Sequence, residues 1–185
     1  MISITQKTLQ DLEFNTVLET IASRCNTDIG EAKALAITPF KNKEELLINL
    51  KQTSEYLSSF SNNNAIPNHG FENINYELKF LAIEDSFLEV GSFKKISNLS
   101  ETAITLIQFL KKFEDYYPNL YQKASQIDIV KLILQRIDEV VDKFGIIKDN
   151  ASPDLIDIRR NINLVRGKIN QSFGMALSQY NSLGY

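Results

Sequence analysis

One histidine, His69, and one cysteine, Cys25, stand alone of their kinds in 185 residues, which narrows the chemistry this chain could perform. A Ser-His-Asp hydrolase would have to be built on His69, and a di-iron carboxylate bundle, which needs two Glu-x-x-His motifs, is impossible. A structural zinc lacks its set of Cys and His ligands, and Cys25 has no partner for an internal disulfide. His69 lies beside Gly70 in an asparagine-rich stretch, where a turn-capping or surface histidine is the expectation rather than a general base. Cys25 follows Ile21 and Ala22 at a helix end and reads as a small core residue. The pair Gly167-Lys168 is followed by Ile169 and lacks the upstream glycine, so it cannot make a phosphate-cradling loop with a magnesium-binding hydroxyl. The acidic groups Glu44 and Glu45, and Asp138, Glu139 and Asp142, read as solvated helix faces. The expectation for this chain is therefore no catalytic residue, no metal and no cofactor.

A net charge of -3 argues against attraction to nucleic acid over the whole surface. The charge is uneven, however. From Ile158 to Tyr185 there are four basic residues, Arg159, Arg160, Arg166 and Lys168, and no acidic one. Cations on an exposed helix can contact a nucleic-acid backbone, which makes these four the candidate nucleic-acid contacts; a solvated face is the ordinary alternative. The aromatic group Phe109, Phe113, Tyr116, Tyr117 and Tyr121 could stack bases. Its helical spacing among Lys111, Lys112, Glu114 and Asp115 points instead to core or helix-junction packing.

The elements that must position these residues read as helices. Hydrophobic residues make up 43% and charged residues 23%, as in an ordinary globular domain, and seven glycines and four prolines leave few places to break a helix. No apolar run approaches the roughly 20 residues needed to cross a bilayer. The first ten residues lack the blocks of a signal peptide, so a cytoplasmic chain without membrane contact is expected. Asn15 is a plausible cap for a helix carrying Val17, Leu18, Ile21 and Ala22 on one face, and a short helix over 28–36 stops before Pro39. Asn42, with Glu45 three residues on, starts a helix to about Phe60 whose buried side is Leu46, Leu47, Leu50, Tyr56, Leu57 and Phe60. Residues 61–70 read as a surface loop. Helices follow over about 74–83, 92–113, 117–125 and 128–141, then a short extended stretch near 144–150. Ser152 before Pro153 is the clearest helix start in the chain. Beyond it Leu155, Ile158, Ile162, Val165, Ile169, Phe173, Ala176 and Tyr180 recur at spacings of three or four, a seam suited to a long helix packed along a neighbour. Gly167 and Gly174 weaken that helix by about 1 kcal/mol each and call for a packing reason or a bend. The class is an all-α bundle ending in a long helix, with at most a short extended segment.

The run from Asp149 through Asn150, Ala151, Ser152, Pro153, Asp154, Leu155, Ile156, Asp157 and Ile158 to Arg159 and Arg160, with the opening Leu12-Glu13-Phe14 before a helix, resembles the bacterial type-two MutS family. These are MutS paralogues with a C-terminal Smr nuclease domain, and the resemblance spans the chain. In that family an Asp-x-Ala-Ser-Pro-x-Leu-x-x-Ile-Arg pattern introduces the helix that leaves the core as a lever. The resemblance implies a helical core over 1–151 and the start of a truncated lever over 152–185, with ATPase, clamp and nuclease domains beyond Tyr185. It also implies a parent that is a homodimeric, ATP- and magnesium-dependent protein binding branched or irregular DNA and opposing recombination, some members acting on collided ribosomes. No catalytic residue of the family falls on this chain. The competing reading is a stand-alone helical adaptor that binds a partner helix through the 155–180 seam. The same seam would let the chain self-associate through Leu155, Ile158, Ile162, Val165 and Ile169, burying apolar area at about 25 cal/mol per Å².

Overall fold

The computed structural model describes residues 4–183, which form nine α-helices and one isolated β-bridge. The chain is all-α. It divides inside a helix into two compact units, Met1–Leu134 and Gln135–Tyr185.

The first unit opens with α1 (Gln6–Asp11), started by Thr5, whose hydroxyl accepts the Thr8 N–H at 3.2 Å. The sequence alone places no helix before Asn15. Glu13 then turns the chain with a left-handed φ of 50°, so α2 (Phe14–Ala22) begins one residue before Asn15, and Asn15 lies in its first turn instead of capping it. Thr27 caps α3 (Asp28–Leu35) by accepting the Gly30 N–H at 3.0 Å. A Cβ on Gly30 would sit 2.9 Å from that Thr27 Oγ1, so glycine lets the cap close. α1 packs on α2 and α2 on α3, burying Leu18, Ala22 and Ala34.

Asn42 starts α4 (Lys43–Ser58), its Oδ1 accepting the Glu44 N–H at 2.8 Å. The face that packs is not the expected one. Leu46, Leu47, Leu50, Leu57 and Phe60 are exposed, Phe60 at 72%, and of the expected side Tyr56 is half-buried, whereas the residue that reaches α7 is Glu55. The reason lies in α7 (Pro118–Ala124), which has proline in its first turn but no side-chain cap of its own. Glu55 supplies one from α4: Oε1 accepts the Asn119 N–H at 3.0 Å and Oε2 the Leu120 N–H at 2.9 Å, placing a carboxylate at the positive end of the helix.

Between them run α5 (Asn75–Leu81) and α6 (Val90–Lys112). Lys95 of α6 lies 3.4 Å from Glu72 and 3.5 Å from the buried Glu77. The hydrogen bond to Glu72, then the charge of Glu77, holds the Lys95 ammonium above its ordinary pKa. This contact is therefore fully present below the ordinary lysine range and fades as pH rises through the raised value. Leu110, Tyr117 and Ala124 form the buried cluster where α6 meets α7, with Ile66, Ile107, Phe109, Phe113, Leu120 and Tyr121 packed against it. The aromatic group is thus core and junction packing, with Tyr116 left outside at 59% exposure. The Tyr117 side chain is fully buried, and its hydroxyl donates to the Asn64 carbonyl and lies 3.2 Å from Asn62 Oδ1. Residues 61–70 are irregular as expected, but this hydroxyl ties them to the core.

α8 (Lys131–Val140) spans the division between the units. In the second unit Val141 pairs with Ile147 in an antiparallel bridge, the extended excursion read from the sequence. Asp142 holds the intervening turn by accepting the N–H groups of Phe144 and Ile146, both at 2.9 Å, and Gly145 supplies a φ of 78° that other residues resist. Ser152 then accepts the Leu155 N–H at 3.2 Å, and α9 (Pro153–Ser182) runs for 30 residues, about 45 Å. None of its described residues is buried.

Candidate nucleic-acid interface

Arg159, Arg160, Arg166 and Lys168 all lie on α9, but the helix does not gather them into one patch. At about 100° per residue, Arg159 and Arg166 share an edge about 20° apart, while Lys168 lies nearly opposite Arg166. Arg166 borders a shallow apolar depression on the seam with Ile158, Ile162 and Val165. Arg159 is already engaged: one guanidinium nitrogen pairs with Asp149 and the other donates to the Ile147 carbonyl at 3.3 Å. With Asp149 82% exposed, that pair contributes little to stability, on the order of 0–1 kcal/mol. Its effect is to neutralise Arg159 and to hold the 147–150 loop against the first turns of α9.

An open cavity of about 540 Å³ results. It is lined by Asp149 and Asn150 of the loop and by Ile156, Arg159, Arg160, Asn163 and Leu164 of the helix. Arg160 is exposed and has no hydrogen-bond or ion-pair partner among the described residues. Asn150 and Asn163 were not among the candidate contacts read from the sequence. Asn163 is three residues from Arg160 and shares its face, a spacing legible in advance; Asn150 joins the group only through the Asp149 contact.

The remaining candidates are held by ordinary structure. His69 Nδ1 lies 3.1 Å from the Pro67 carbonyl and Nε2 lies 3.4 Å from the Tyr56 hydroxyl, with the ring edge-on to Tyr56. Cys25 is half-buried, its thiol directed to the Ile21 carbonyl at 3.5 Å. Glu139 pairs with Arg136 at 3.1 Å, and Asp142 is occupied by its turn. Among the described residues no three His, Cys, Asp or Glu side chains group as metal ligands, and no helix is long and apolar enough to cross a membrane.

The chain is similar to proteins named endonuclease MutS2. It is 28% identical over 180 residues to the one from Alkaliphilus oremlandii, covering 94% of this chain and 23% of the relative. To the Pelotomaculum thermopropionicum protein it is 24% identical over 166 residues, covering 90% of this chain and 21% of that protein. To a Staphylococcus aureus protein it is 26% identical over 181 residues, covering 90% and 22%. The chain thus spans between a fifth and a quarter of the length of these relatives. No protein-family model matches it.

Proposed function

We propose that this chain is the non-catalytic N-terminal structural core, residues 1–151, and the beginning of the lever, residues 152–185, of a MutS2-like protein. The observation that carries this reading is the likeness to endonuclease MutS2 proteins along at least nine-tenths of the chain. The bare α9 fits it, because a lever packs against segments that lie outside this chain. On this reading ATP and magnesium, binding of branched or irregular DNA, suppression of recombination, homodimerisation, nuclease activity and action on collided ribosomes belong to the whole protein, in the cytoplasm. The part played here is mechanical: packed helices pass a change at a distant ATPase to the clamp. Grafting this chain in place of the matching segment of the Staphylococcus aureus relative tests it. A soluble chimera that keeps that protein's nuclease activity supports the reading, and an insoluble or inactive one defeats it.

The exposure of the seam from Ile158 onward supports a second reading, a stand-alone helical adaptor binding a partner helix through the 155–180 seam. The gene separates the two: a reading frame that continues into a P-loop and an Smr domain favours the scaffold, and a stop codon after Tyr185 favours the adaptor.

A further inference from the structure

The geometry points to a phosphate-binding site in the cavity at the foot of α9, made by Arg160, Asn150 and Asn163, a ligand site in the chain itself rather than in a larger protein. Three observations converge on it. The guanidinium of Arg160 is a fork of donors with no side-chain or backbone acceptor among the described residues, although it borders a cavity of about 540 Å³. That volume falls within the range of small-molecule sites, on the order of 300–1,000 Å³. Asn150 and Asn163 also line the cavity and add amide donors, one from the loop and one from the helix.

Asp149, the one carboxylate that lines the cavity, is paired with Arg159, which offsets its repulsion of an anion and leaves Arg160 as the cation of the lining with no partner among the described residues. Asp154 and Asp157 lie on the first turns of α9, before Arg160, and from Ile158 onward the helix carries no acidic residue, so a strand leaving the cavity toward the C-terminal end of the helix meets no like charge. Ile156 and Leu164, one turn before and one turn after Arg160 on the same helix face, offer an apolar surface beside it against which the sugar or base next to a phosphate can lie. A phosphodiester of a nucleic-acid strand and a free phosphate both satisfy this chemistry, and binding measurements distinguish them.

The test uses the chain as it stands, with a fluorescein-labelled oligothymidylate for anisotropy and inorganic phosphate for amide shift titration. For a strand, Arg160→Gln lowers affinity about five- to tenfold and reduces the slope of log affinity against log salt by about one over roughly 50–200 mM. Arg166→Gln, on the seam edge, changes affinity less than about twofold. Because Arg160 has no partner to lose, the helical circular-dichroism signal of the Gln variant should match the parent. Phosphate-induced shifts at Asn150 and Asn163 that vanish in Arg160→Gln, without oligonucleotide binding, support the site with free phosphate as its ligand. Equal losses in the two variants overturn it, as does an absence of response to both probes. Displacement of the oligonucleotide by polyglutamate as readily as by unlabelled strand overturns the assignment to phosphate.

Discussion

The two ends of this chain use polar groups and apolar groups in opposite ways. Around Tyr117 the first unit buries aromatic surface and spends its polar contacts on long-range ties, from Glu55 to α7 and from the Tyr117 hydroxyl to Asn64. Along α9 the second unit shows an apolar seam to solvent, and its polar contacts are local, from Ser152 to Leu155 and from Arg159 to Asp149. The lesson is that helix formation and helix burial are separable. α9 is specified by its cap and its residues, while the core is specified by contacts more than fifty residues apart.

Substitutions can break that contrast, and the largest effect belongs at its centre. Tyr117→Ala removes the fully buried side chain of the first unit and should cost about 3–5 kcal/mol, read as a lower denaturant midpoint; a loss below 1 kcal/mol would mean the cluster is not the core. Glu55→Ala leaves three donors at Asn119 and Leu120 unsatisfied and should cost about 1–3 kcal/mol in the same assay, with Glu55→Gln retaining part of it. Ser152→Ala removes the cap of α9 and should cost about 1 kcal/mol, seen as lost helical signal with the near-ultraviolet signal of the tyrosines unchanged. The smallest effect sharpens the contrast: Ile162→Glu, on the exposed seam, should alter the stability of the isolated chain by no more than about 0.5 kcal/mol. A larger loss would show that the seam is packed in solution.

What could be read in advance follows the same division between local and distant contacts. Asn42 and Ser152 announced their helices because a cap and the turn it closes are within a few residues of each other. α1 escaped notice because six residues carry too little periodicity, and the start of α2 was misplaced because a left-handed glutamate at Glu13 has no compositional mark. The inward side of α4 was misjudged for a deeper reason. Periodicity shows that a helix has two faces, but only the position of α7, 64 residues away from Glu55, decides that a carboxylate and not a row of leucines turns inward. Among the four cations, sequence placed Arg159 with Arg160 as neighbours; the structure separates them by what they touch, Asp149 for one and an open cavity for the other.

The unburied state of α9 also governs how the chain melts. A helix without tertiary support obeys the helix–coil equilibrium of its own residues, fraying from its ends and at Gly167 and Gly174, and it loses order gradually with temperature. The cluster around Tyr117 unfolds as one cooperative event. Heat capacity should therefore show one sharp transition over a broad, sloping background, and fluorescence and helical signal should report different midpoints. For this chain a single melting temperature describes the tyrosine core and not the molecule.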